Sequence, residues 1–423
     1  MSADRRGGPP ARCRDRPAAA RPARRLCSVT ALLGLAAALG ACGGDDAQGP
    51  DASDDLVLRY GLEPMPAMVH PADNPPDPDR IALGKLIFFD PVQSSGGDVA
   101  CATCHLPRFG FADGRDLPLG PSGIGLGPQR RLTDPDMVPE ARHSPTVVNV
   151  GFNRFGAQVT ADGFMFWDGR VRRLERLVTL PQLEFSEMRG DAVPVEAALD
   201  SVLARIRRIP EYVELFRAAF PERAALADAG ALESVVDSTT LSQALAQFVR
   251  SLTGVESAYD RYVAGDRDAL SDAARRGLIL FHEKAGCVRC HSGPMFSDFQ
   301  FHVVGARQLG PGFQTTPHDD PGRWLVTRVE SDRYRFRTPS LRNVAETAPY
   351  MHSGGYATLR DVVEFFNRGG GDHPFVDPAR LEIEPLGLTD QEIDDLVTFL
   401  GTLSDMPEIE IPERVPSGLA VPR

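Results

Sequence analysis

The chain has 423 residues, a formal net charge of −12, and an ordinary globular balance of 42% hydrophobic and 25% charged residues. That length is enough for two or three domains. The acidic balance speaks against nucleic acid as a partner and for a basic or dipolar protein. Forty Gly and 36 Pro predict short helices joined by long ordered loops.

Residues 1–41 carry eight Arg and two Asp around the apolar run "SVTALLGLAAALGA". The run is shorter than the roughly 20 residues a membrane-spanning helix needs. It ends in Leu39, Gly40 and Ala41 before Cys42, the pattern of a lipoprotein signal in which Cys42 is lipidated and becomes the new N-terminus. The competing reading is an ordinary cleaved signal followed by a chance cysteine. Arg24-Arg25 is a weak twin-arginine feature. Removing residues 1–41 leaves a net charge of about −18. The expectation is an exported, periplasmic chain, lipid-anchored to the outer membrane, with 42–75, opening "CGGDDAQGPDASDD", as a flexible tether.

Further along, "DRIALGKLIFFD" (79–90) has apolar residues at helical spacing and leads into "CATCH" (101–105). In the same way "LSDAARRGLILFHEKAG" (270–286) leads into "CVRCH" (287–291). Closing helices are predicted over 240–254 and 389–405, the second opening with a capping box from Thr389 to Glu392. The two pentads decide the chemistry. C-x-x-C-H is the attachment signature of c-type haem, with thioethers at Cys101 and Cys104, and at Cys287 and Cys290, and proximal iron ligands at His105 and His291. A lone C-x-x-C also reads as half a zinc site or a thiol redox pair. Neither pentad has a second Cys or His pair at knuckle spacing, and a redox pair has no use for the trailing His. With Cys13 and Cys27 in the signal, no cysteine is left for a disulfide. The predicted fold is mainly α, with two tandem cytochrome c-like haem domains at 76–265 and 266–408, a tail at 409–423 and long ordered loops throughout.

Three more stretches accompany the pentads: "ARHSPTVVNVGFN" (141–153), "MFWDGRVRRLE…LPQLEFSEM" (165–188) and "FRTPSLRNVAETAPYMHSGGYATLRDVVEFFNRGG" (336–370). Together they resemble the bacterial dihaem cytochrome c peroxidase and MauG family, from about 75 to 405. The resemblance implies two covalently bound haem c groups, with peroxide reacting at the haem of His105. It implies Glu187 as the distal carboxylate, with Glu184 a weaker alternative, and Pro181 beside it in the pocket. Trp167 would lie between the haems. Arg170 would orient haem propionates, and Arg342, Asn343 and His352 would support the haem sites.

Departures from the family pattern carry their own expectations. No histidine stands between 106 and 142, so no blocking ligand is expected at the first haem. His143 occupies the place of an Asn that ligates calcium; calcium prefers oxygen, so the ion is doubtful even with the carbonyls of Thr347 and Pro349. Phe366 falls where relatives carry the sixth ligand of the second haem, which leaves a vacant position, Met351, Tyr350, Tyr356 or His373. His70, His282, His302, His318 and His373 read as surface or loop residues. The expected function is reduction of hydrogen peroxide with electrons from a small cytochrome or copper protein. The alternatives are oxidation of Trp or Tyr side chains on a partner protein and, from another class, a plain dihaem electron carrier.

Overall fold

In the computed structural model, residues 55–228, 231–313 and 318–423 are described; the signal, Cys42 and the start of the tether lie outside them. Residues Pro50–Arg423 form one compact unit. The chain opens with α1 (Leu56–Tyr60), α2 (Pro78–Phe89) and α3 (Cys101–Cys104), then runs through a long loop region to α4 (Leu174–Leu177). There follow α5 (Val195–Arg207), α6 (Pro210–Ala219), α7 (Pro221–Asp228), α8 (Ser238–Ser251), α9 (Ala258–Val263) and α10 (Asp272–His282). A second loop region holds α11 (Trp324–Thr327), and α12 (Leu359–Asn367) and α13 (Asp390–Gly401) close the chain.

The long helices start where the sequence supplies caps. Asp77 accepts from the amides of Asp79 and Arg80 with Pro78 in the first turn of α2, and Thr389 and Glu392 complete a capping box on α13. Two crossings organise the rest, each made at a glycine. α2 packs on α8, where a Cβ on Gly84 would meet the backbone carbon of Ala244 at 2.6 Å and Phe248 Cβ at 2.9 Å. α10 packs on α13, where a Cβ on Gly277 would meet the backbone carbon of Asp395 and Phe399 Cβ, each at 2.7 Å. In each pair the helix entering a pentad presses its glycine against an aromatic-bearing closing helix. The loops add four two-stranded antiparallel pairs that the sequence reading did not anticipate: β1 (Gly123–Ile124) with β2 (Arg131–Leu132), β3 (Arg154–Phe155) with β4 (Gln158–Val159), β5 (Phe164–Met165) with β6 (Val171–Arg172), and β7 (Phe301–His302) with β8 (Phe336–Arg337).

The two larger apolar clusters lie around Phe88, Tyr212, Phe216 and Phe248 and around Phe281, Phe296, Phe365 and Phe399. The segments read as a tether and a tail need correction. Leu56, Tyr60 and Leu62 pack into the second cluster, Tyr60 stacks on His282 at 4.3 Å, and Asn74 is fully buried against Glu175 and Gln243. At the other end Val415 is buried in the first cluster, and Ser417 donates to Asp90 at 2.6 Å. Each end of the described chain therefore straps the other half. Their short apolar runs have no periodicity of their own, and only the tertiary contacts order them. Among the described residues no helix is long and apolar enough to cross a membrane.

Candidate active site

The first pentad sits at the base of a cavity with about 1460 Å³ of unfilled space, its open mouth included. Cys101 and Cys104 line it on α3, with His105 at the end of the helix. His105 Nδ1 faces the carbonyl of Phe111 at 3.0 Å, which directs Nε2 away from the backbone, and burial lowers the pKa of the ring. A neutral imidazole with one nitrogen already occupied is the form that ligates iron. Ser144 steadies the turn by donating to the Cys104 carbonyl at 2.9 Å.

Across the cavity lie Pro181 and Glu187. Glu187 rides on a single turn of π-helix, Phe185–Arg189, a form common at functional sites. Arg189 pins this turn by donating to the carbonyls of Leu183, Gly190 and Val193. Gln182 Nε2 donates to Gln93 Oε1 at 2.8 Å, and Gln93 Nε2 contacts Cys101 Sγ at 3.5 Å, so the Pro181 turn is tied to the pentad. Burial, then the charge of Glu140, pushes the Glu187 carboxyl up to about 8. Glu187 therefore holds a proton at neutral pH. Glu184, the alternative, is exposed and does not line the cavity.

Trp167 forms part of the wall with Phe166 and Arg170. Its indole Nε1–H donates to the His143 carbonyl at 3.0 Å, while its own carbonyl accepts from the Arg337 amide at 2.7 Å. Pro339, also in this wall, hydrogen-bonds the second pentad's His291, so Trp167 stands where the two halves meet. Arg170 is half engaged, paired with Asp168 at 3.1 Å and stacked 3.7 Å over Phe166. Arg337 was not singled out in the sequence. Its Nε donates to the Phe166 carbonyl at 3.1 Å, and it has no carboxylate partner among the described residues. Burial alone lowers its pKa to about 10. A buried guanidinium facing a cavity without an anion is costly unless a ligand brings one. Haem, with its two propionates, meets that need.

The second pentad repeats the first. Cys287 and Cys290 lie on a tight turn, and His291 Nδ1 faces the Phe296 carbonyl at 2.8 Å. Burial pushes the thiols of Cys101 and Cys287 up, to about 11 and about 12. A redox pair needs a depressed thiol pKa, so that reading is disfavoured. The one His, Cys and carboxylate cluster among the described residues is Cys290, Asp298 and His302, so the first pentad joins no such group and the second contributes a single cysteine to a three-residue one. His302 is accordingly no bare surface residue. It bridges Asp298 and Glu382, both at 2.8 Å.

The supporting residues Arg342, Asn343 and His352 lie outside the cavity lining. Arg342 does not reach the cavity; it clamps the pentad loop by donating to Pro294 and, in a bidentate pair at 2.8 Å, to Asp260. Asn343 accepts from the Asp405 amide at 2.6 Å. His352 is buried away from the cavity, bonded to Gln308 at 2.8 Å and stacked on Phe336 at 3.7 Å. His143 Nδ1 faces the Arg115 carbonyl at 3.0 Å, and its amide donates to the His352 carbonyl. Met351 and Phe366 both pack half-buried against the second cluster with Cys287, and the Tyr356 hydroxyl donates to Asp372 at 2.8 Å. Beyond Arg337, the sequence reading missed Glu140 and Arg142, which line the cavity. Arg142 opens "RHSPTV" and Glu140 stands two residues before it, so the only available signal was charge at the edge of that motif.

Residues 78–268 match the di-haem cytochrome c peroxidase family model. The chain is 34% identical over 382 residues to the methylamine utilization protein MauG of Methylorubrum extorquens, covering 89% of this chain and 93% of that one. It is 33% identical over 342 residues to the cytochrome c551 peroxidase of Pseudomonas aeruginosa, covering 81% and 83%. Among solved structures, a MauG-like protein associated with microbial copper homeostasis superposes with a TM-score of 0.63 at 27% identity, covering 81% of this chain and 93% of that one. The diheme peroxidase BthA from Burkholderia thailandensis gives 0.60 at 25%, covering 86% and 95%.

Proposed function

Since the chain belongs to the di-haem cytochrome c peroxidase family, it is an oxidoreductase that acts on peroxide with two haem c groups, and we propose that peroxide reacts in the cavity between His105 and Glu187. One observation supports this reading: Glu187, whose proton affinity burial raises, lines the same cavity as Cys101, Cys104 and His105. Cys101, Cys104 and His105 would hold the first haem, and Cys287, Cys290 and His291 the second, in tandem cytochrome c-like halves. Arg337 and Arg170 would meet the propionates of the first. When bound, the haems supply the redox chemistry that reduces peroxide.

The protein's own part is proton handling and orientation. Glu187 donates a proton to the departing oxygen, a role worth about two to four orders of magnitude in rate. Pro181 and the fixed π-helical turn hold that carboxyl over the cavity, and Arg189 keeps the turn from swinging out. Trp167, fixed by His143 and Arg337, gives an oxidisable indole between the halves. A plain electron carrier gains nothing from a buried acid in a cavity.

Electrons come from a small cytochrome or copper protein, or from side chains of a partner protein. The second source is favoured by the absence of histidine between 106 and 142, which would leave the first haem open. Calcium is not needed on this reading, because His143 spends its ring on Arg115 and offers no oxygen. The chain would work in the periplasm, lipid-anchored through Cys42.

Stopped-flow mixing of the oxidised holoprotein with peroxide, then with a reduced small cytochrome, tests the proposal. The peroxide reaction should proceed without prior reduction and fall off above about pH 8, as Glu187 loses its proton. Glu187→Gln should slow it by about two to four orders of magnitude. A rate within a few-fold of wild type removes Glu187 from the mechanism.

A further inference from the structure

Glu140 has no part in the reaction as described so far, yet its carboxyl lines the same cavity as Glu187. Its Oε1 is buried without a hydrogen-bond partner, an arrangement that calls for an explanation in a folded protein. One loop holds both carboxyl-bearing segments. The Glu140 amide donates to the Pro118 carbonyl at 2.9 Å. Two residues on, Gly120 touches the π-helical turn, where a Cβ would stand 2.6 Å from the Glu187 carbonyl oxygen and 2.8 Å from the Ser186 carbonyl carbon. Pro118, Gly120 and Ser186 all face the cavity. The side chain of Ser186, next to Glu187, hydrogen-bonds the Glu140 carboxyl.

The surrounding charges divide the pair unequally. Burial raises the proton affinity of both carboxyls. Glu184 adds to this in each case, and Arg170 opposes it. Glu140 alone has the Ser186 hydroxyl and the Arg142 guanidinium favouring its ionised form. Arg142 itself is held by Asp168 and Asp320 at 2.6–2.7 Å, so it is a fixed neighbour and not a competing partner.

We propose that Glu140 and Glu187 form a proton-sharing carboxyl pair over this cavity, with Glu140 the base that takes a proton from peroxide and Glu187 the acid that protonates the departing oxygen. The inference rests on, and deepens, the reading of the cavity as the peroxide site. Two adjacent carboxyls resist ionising together, so the pair keeps one proton near neutral pH and titrates in two coupled steps. In the reaction, peroxide loses one proton to Glu140. The O–O bond breaks with its electron pair on the departing oxygen, which leaves as water with the proton from Glu187, while the first haem, held by Cys101, Cys104 and His105, would supply the two electrons that the retained oxygen lacks. The proton on Glu140 then crosses to Glu187 and restores the pair. Over the full turnover peroxide takes two electrons from the protein donor and two protons from solvent and becomes two waters. Splitting acid and base between two carboxyls frees each from changing role within the step.

Infrared difference titration of the carboxyl band in the haem-loaded protein, read beside the stopped-flow rate with peroxide, tests the pair. Wild type should show two coupled steps, the upper near pH 8. Glu140→Gln should keep the haem absorption spectrum, leave one step displaced to lower pH, and slow the peroxide reaction at least about 100-fold. Glu140→Asp should regain part of the rate and the second step; it also stands in if the Gln variant fails to fold. A Glu140→Gln rate within three-fold of wild type, or an unmoved Glu187 titration, overturns the pairing. If Glu187→Gln is equally silent, the peroxide site itself is misassigned; if Glu187→Gln alone is slow, only the role of Glu140 fails.

Discussion

Replacing Gly277 by Ala tests whether the crossing of α10 and α13 sets the second half of the fold. The new Cβ would lie 2.7 Å from both the backbone carbon of Asp395 and the Cβ of Phe399, and closer still to the Asp395 carbonyl oxygen. Ordinary contact starts at 3.4 Å, so the helices must part by about 0.7 Å at these two carbons and by more at the carbonyl oxygen. α13 has little room to withdraw, because Phe399 is fully buried among Tyr259, Phe281 and Phe296. Overpacking of this kind costs about 1–3 kcal/mol or more, against a gain of up to about 1 kcal/mol from alanine's helix propensity. The expected net loss is about 1–2 kcal/mol, a fall in Tm of about 1–3 °C for a unit of this size. Thermal unfolding of the holoprotein followed by circular dichroism measures it. Gly401→Ala, at the end of α13 with nothing within 4 Å, is the matched control and should be neutral or slightly stabilising. If Gly277→Ala melts at or above the wild-type temperature, the crossing is not a close contact and the reasoning from it collapses.

Arg337→Met removes a cation that faces the cavity without a protein counter-ion. Spectroelectrochemistry should find the first haem's midpoint lowered by on the order of 50–100 mV, the scale of one charge at an effective dielectric near 20; an unchanged potential would place the guanidinium away from the haem. Phe366→Tyr puts a phenol oxygen into the cluster that holds Cys287. Electron paramagnetic resonance should then show the second haem passing from high spin to low spin, whereas a wild-type second haem already low-spin and unaffected by the change means another residue ligates it.

The pentads, the helices that enter and close each half, and the Thr389 capping box were legible because each is a local pattern. Covalent spacing, helical period and cap chemistry act over a few residues and survive in one dimension. Glu187, Pro181 and Trp167 came from a family resemblance, and the fold places all three around one cavity. The rest was decided by tertiary structure. Arg337 is chemically an ordinary arginine until β8 carries it into the cavity without an anion, and Glu140 is an ordinary glutamate until the Pro118–Gly120 loop packs it beside the turn that carries Glu187. Arg342 and His352, by contrast, were drawn off by Asp260 and Gln308, partners 82 and 44 residues away in sequence. The ends of the described chain read as loose because nothing near them in sequence could bury their apolar residues; each found its surface on the opposite half. Burial and desolvation, which set the proton on Glu187 and leave the charge on Arg337 without a counter-ion, depend on which distant segments close around a group, and a linear sequence does not carry that information.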